Sequence, residues 1–74
     1  MDEKRRRFEA LAMPHLDAAY NLARWLGPAD ADDIVQEAML RAFRSFDGFR
    51  GDAVKPWLLQ IVRNCHLNAI AEKK

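Results

Sequence analysis

Apolar residues recur at three- and four-residue spacings along three stretches of this 74-residue chain, and two breaks part those stretches. Such spacing gathers the apolar side chains of each stretch on one face of a helix. No segment alternates apolar and polar residues as a half-buried strand requires. The expected fold is therefore all-α, a compact three-helix bundle. The first helix should span about 4–26, with Phe8, Leu11, Ala12, His15, Ala19, Leu22, Ala23 and Leu26 on its inner face. Pro14 falls inside that pattern, lacks a backbone donor and crowds the turn before it, so a kink or restart is expected there. Gly27-Pro28 ends the segment with a glycine cap and a proline that cannot continue it.

The second helix should span about 30–45. Asp30 is placed to cap it, and Asp32 and Asp33 set carboxylates against the positive end of the helix dipole. Ile34, Val35, Ala38, Ala42 and Phe46 form its inner stripe, edged by Met39 and Phe43. The third helix should span about 53–72, with Pro56 tolerated in its first turn and Trp57, Leu58, Ile61, Val62, Cys65 and Ala69 facing inward. Between the two lies a connector holding Gly48 and Gly51, which cannot be regular helix throughout.

A chain this short supports one domain with a small, marginally stabilising core. The helical pattern also runs into AIAEKK without a stop signal. Both features lead one to expect an isolated domain of a larger protein, or one completed by a partner. Net charge is only +1, so the chain is not globally basic. Its charges are instead segregated: Lys4 to Arg7 open it, an acidic block follows at Asp30, Asp32, Asp33 and Glu37, and cations return at Arg41, Arg44, Arg50, Lys55 and Arg63. A lone cysteine, Cys65, excludes an internal disulfide and fits a reducing compartment. No apolar run approaches bilayer length and no signal peptide is visible, so a soluble, cytoplasmic protein with no membrane partner is expected.

Catalysis is not expected. His15 and His66 belong to no metal-binding pattern, Cys65 has no CxxC partner, and no glycine-rich phosphate loop is present, so no metal or cofactor is implied. His15, on an apolar face, reads as a core histidine. Two features ask for partners instead. On the outer face of the second helix Leu40 stands among Asp33, Gln36, Glu37 and Arg44, an apolar centre with a polar rim that fits a protein contact. In the connector, Phe49 sits between two glycines beside Arg50. Phe49 offers a flat wall for an unstacked base, Asn64 a paired donor and acceptor, and Arg50, Lys55 and Arg63 positive charge for phosphates. Trp57 is expected to pin the connector to the bundle. Trp25, Leu59, Leu67 and Ile70 lie off the inner stripes and predict a modest exposed apolar surface.

The run DADDIVQEAMLRAFRSFDGFRG, followed by PWLLQIVRN, closely resembles region 2 of bacterial sigma factors, most of all the extracytoplasmic-function (ECF) group of the sigma-70 family. The opening RFEALAMPHLDAAYNLARWL resembles the start of that region. The resemblance implies a three-helix domain that binds core RNA polymerase and the non-template strand of the promoter −10 element in transcription initiation. It assigns Asp33, Gln36, Glu37, Leu40, Arg41 and Arg44 to the clamp helices of the polymerase beta-prime subunit. It assigns Phe49, Arg50, Gly51 and Asp52 to a base-capturing loop between helices two and three, with Asn64 as the asparagine of the RN motif. The family's helix-turn-helix domain for the −35 element is not in this sequence, and the loop lacks the tryptophan pair of housekeeping sigma factors. Members of the group are commonly held inactive by an anti-sigma factor, which would cover the exposed surfaces. The alternative is a sigma-like decoy that sequesters an anti-sigma factor without binding DNA; FRGD and Asn64 favour the sigma factor.

Overall fold

In a computed structural model, which describes residues 2–49 and 53–72, the first predicted helix is divided in two. Asp2 opens α1 (Glu3–Ala12) by accepting the Lys4 backbone N–H on its Oδ1 at 3.0 Å. A single 3-10 turn, Met13–His15, then carries Pro14 at its start and leads into α2 (Leu16–Leu26). Pro14 therefore restarts the helix without ending its path. A second 3-10 turn, Pro28–Asp30, enters α3 (Ala31–Ser45), and a third, Phe46–Gly48, leaves it. The chain returns as α4 (Val54–Glu72), with Pro56 in the first turn. Among the described residues there is no strand.

α4 packs on α3 and α2, α2 packs on α3, and the N-terminal α1 also touches α4. The core is Phe8, Ala12, Ala19, Ala23, Ala31, Ile34, Val35, Ala38, Ala42, Phe46, Leu58, Val62 and Cys65. The expected stripe of α3 is buried throughout, with Met39 and Phe43 half-buried at its edge. Alanines where the helices meet bring the backbones close, and a few large side chains fill the space between them. Leu59 corrects the sequence reading: it packs against this core, while Leu67 and Ile70 are exposed as expected. Helices α1, α2 and α3 all contact α4, so its buried sector is wider than a single stripe. His15 is half-buried, and Trp25, at 85% exposure, stands almost wholly in solvent.

Gly27 closes α2 by donating its N–H to the Ala23 carbonyl at 2.8 Å, yet its backbone is extended (φ −161°), not left-handed. What glycine avoids there is a tight contact. A Cβ would lie 3.1 Å from Cε1 and 3.3 Å from Nδ1 of His66 on α4. Gly27→Ala is therefore expected to destabilise the fold by roughly 1 kcal/mol, an overpacking cost less the entropy gained by restricting the unfolded chain. In a His66→Ala background the same change should stabilise by about 0.4–1 kcal/mol. Thermal unfolding of the four proteins measures both signs. The same sign in both backgrounds would show that the imidazole does not set the demand for glycine.

Asp30 occupies the N-cap position of α3 without a side-chain capping hydrogen bond. Its backbone N–H donates to the Gly27 carbonyl at 3.1 Å instead, so the 3-10 turn sets the helix start. Asp32 and Asp33 lie in the first turn, where the dipole favours carboxylates.

Candidate functional site

Five aromatic rings converge where α3 leaves the bundle and α4 returns. Phe46 ends the buried stripe of α3, and the 3-10 turn that starts with it sends Phe49 out on an extended backbone (φ −78°, ψ 135°). The Phe49 N–H donates to the Phe46 carbonyl at 3.0 Å. The half-buried Phe49 ring stacks on Trp57, with centroids 4.5 Å apart and planes 30° apart. Phe46 lies 6.1 Å from Phe49 and 6.5 Å from Trp57. These three distances make a closed triangle, so Trp57 and Phe46 do not sandwich Phe49. One face of Phe49 is backed by indole, and neither ring covers the opposite face. Behind them Phe8 meets Phe46 and Phe43 edge-on at 5.5 and 5.4 Å. Each such pair adds about 0.5–1.5 kcal/mol beyond burial, so the wall is stiff. Trp57 thus holds the connector, as its position at the start of the third helix led one to expect.

Asn64 is exposed on α4, and its Oδ1 accepts the Gln60 Nε2 hydrogen at 3.2 Å. Helical spacing sets Trp57, Gln60 and Asn64 on one side of α4, with Asn64 about 10 Å along the axis from Trp57. With this bond made, the Asn64 amide nitrogen is left as a donor for a ligand. Lys55 and Arg63 are both exposed, but Lys55 leaves the first turn of α4 from a different side than Asn64. Arg50, Gly51 and Asp52, the remaining residues expected at this corner, lie outside the described residues.

On α3, Asp33, Gln36, Glu37, Leu40, Arg41 and Arg44 are all exposed, in one stripe at helical spacing. Arg41 Nε donates to Glu37 Oε2 at 2.9 Å, a bond that raises the guanidinium pKa further. Leu40 is 53% exposed. The sequence had not shown that this stripe borders an open apolar groove of about 650 Å³. Val35, Met39, Leu40 and Phe43 form one wall; Phe8, Met13, Leu16 and Tyr20 form the other. The two walls come from helices far apart in sequence, so no local pattern announces the groove. On the other flank, between α3 and α4, Asp30, Asp33, Glu37 and Glu72 edge a polar depression that reaches Cys65. Burial pushes the Cys65 thiol up, against the opposing pull of Arg41, so it stays protonated and a poor nucleophile. Among the described residues, no His, Cys, Asp and Glu side chains converge as a metal site. No helix among them is long and apolar enough to cross a membrane.

Residues 11–74 match the family model Sigma-70 region 2, and the chain belongs to that family. Relatives agree with the ECF resemblance carried by the DADDIVQE and PWLLQIVRN runs. The chain is 35% identical over 78 aligned residues to the ECF RNA polymerase sigma factor SigG of Mycobacterium tuberculosis, covering 99% of this chain and 20% of the relative. It is 42% identical over 48 residues to the ECF RNA polymerase sigma-E factor of Escherichia coli, covering 64% of this chain and 25% of the relative. The sigma-E factor of Salmonella typhimurium is 40% identical over the same length. The chain thus spans a fifth to a quarter of the curated relatives it matches. No solved structure matches it.

Proposed function

We propose that this chain is the promoter-reading domain of an ECF sigma factor. It binds core RNA polymerase through α3 and captures one extruded base of the non-template −10 strand at the Phe49 corner. The stacked Phe49–Trp57 pair carries this reading: a flat ring is presented at the bundle surface, with indole behind it. A base leaving its stack costs a few kcal/mol, and stacking on an aromatic face returns about 1–3 kcal/mol per base. Hydrogen bonds from Asn64 supply discrimination that a bare ring cannot. Arg50, Lys55 and Arg63 neutralise phosphates, and Gly51 and Asp52 complete the loop. The exposed stripe of α3 and the groove beside it suit the apolar edge of a helical partner, taken here as the beta-prime clamp helices. An anti-sigma factor would compete for the same surfaces. The domain does this work in the cytoplasm and performs no chemistry of its own.

Asn64→Ala tests the DNA half of the proposal. Its expected effect is loss of discrimination at one base position, worth about 1–3 kcal/mol, with other positions unaltered. Titration of single-stranded −10 oligonucleotides, varied one base at a time, measures it. A variant with unchanged base preference would remove Asn64 from the reading head. A parent chain that binds the polymerase clamp but no oligonucleotide would favour the decoy.

A further inference from the structure

We propose that α1 is a brace for the base-capturing corner, with Lys4 and Arg7 as positioning residues; this inference rests on the −10 reading above. Lys4 Nζ lies 3.2 Å from Asp47 Oδ2, a contact between residues 43 positions apart. The same ammonium stands 4.5 Å from the Phe43 ring centroid, and the Arg7 guanidinium carbon stands 5.8 Å from that of Phe46. Between them Phe8, buried, meets both rings edge-on. One turn of α1 thus grips α3's last turn and the 3-10 turn after it from outside and inside at once.

The connector needs such a grip. Gly48 follows Asp47 and is open, with nothing within 4 Å of where its Cβ would be. Next along the chain, Phe49 is held by its stack on Trp57 and by its N–H bond to the Phe46 carbonyl. Asp47 thus lies in the turn that leads into the corner, and Lys4 ties it to α1. Lys4, Arg7 and Phe8 all lie on α1, ahead of residue 11 where the family match begins. Arg5 and Arg6, on the same helix, pair locally with Glu9 and Glu3. Among the described residues, Lys4 is the one of the four that pairs with a carboxylate outside its own helix.

The expected effect is modest, because the pair is partly solvent-exposed and such contacts are individually weak. Lys4→Met, Asp47→Asn, the double variant and Lys4→Arg are made in a Trp25→Phe background. Trp25 is exposed, so its removal leaves Trp57 as the only indole reporter. In the free protein, Lys4→Met and Asp47→Asn should make Trp57 more accessible to acrylamide, with helical content unchanged. The double variant should be no worse than Lys4→Met, and Lys4→Arg should behave as the parent. With single-stranded −10 oligonucleotides, affinity should fall about three-fold in Lys4→Met with no change in salt slope, whereas a lost phosphate contact would flatten the slope by about 0.7. Unchanged Trp57 quenching in both single variants overturns the brace, as does a flattened slope, which would make Lys4 a direct DNA contact. If no variant, the parent included, binds oligonucleotide, base capture fails, and Trp57 quenching alone still decides whether α1 holds the corner.

Discussion

Leu58→Ala should cost this domain about 2–5 kcal/mol, a large part of its stability. Leu58 is 0% exposed and heads the fully buried side chains by volume. Among the described residues, six of the thirteen buried apolar positions are alanine, which contribute little area. The removal of one of the few large side chains therefore leaves a cavity that its small neighbours cannot fill. A chain of this length has a total stability of only about 4–11 kcal/mol, at roughly 0.05–0.15 kcal/mol per residue. The expected fall in Tm is at least about 8 °C, since 1 kcal/mol moves a domain of this size by about 4–8 °C. Leu58→Met, which conserves volume, should cost under about 1.5 kcal/mol. Thermal and urea unfolding read both variants. A Leu58→Ala protein that melts within a few degrees of the parent would mean that α4 does not pack on α2 and α3 as described. The function has a stake in this number: Trp57, which backs Phe49, is the neighbour of Leu58 on the same turn.

The helices were legible because their signals are local. Alanines and aliphatics at three- and four-residue spacing face inward, and Pro14 and Gly27-Pro28 break the path where their backbones demand it. Leu40 was legible as an apolar residue on a charged face, and exposure confirms its place there. Other features have no local signature. Gly27 looks like an ordinary cap until His66 is seen against it. The Lys4–Asp47 pair joins residues 43 positions apart, and nothing in KRRR says which cation will make it. Leu59 was misread because a helix pattern assigns one inner face, whereas α4 is contacted by three other helices. At the corner, composition showed that rings were available, but only packing shows that Phe49 is backed by Trp57 on one face and by nothing in that triangle on the other.

Leu40→Asp is the sharpest test of the polymerase half of the proposed function. A central apolar residue in a docking stripe is the kind of position whose loss costs about 2 kcal/mol or more, which is roughly a thirty-fold fall in affinity. A carboxylate adds the cost of burying a charge against an apolar partner. The fold itself should hardly notice. The side chain is more than half exposed, and an exposed substitution is usually worth within about 0.5 kcal/mol. Local charge is also balanced, because Glu37 lies three residues before position 40 and Arg44 four residues after it. Leu67→Asp on α4 is the matched control, since Leu67 is 50% exposed and lies outside the α3 stripe. Binding to core RNA polymerase, followed by fluorescence anisotropy of the labelled domain, should collapse for Leu40→Asp and persist for Leu67→Asp. Single-stranded −10 DNA binding, which is proposed for the Phe49 corner, should survive in both. If Leu67→Asp were the damaging change, the docking surface would have to move from α3 to α4. If both variants bound normally, the exposed leucine and the groove beside it would have no part in holding the polymerase.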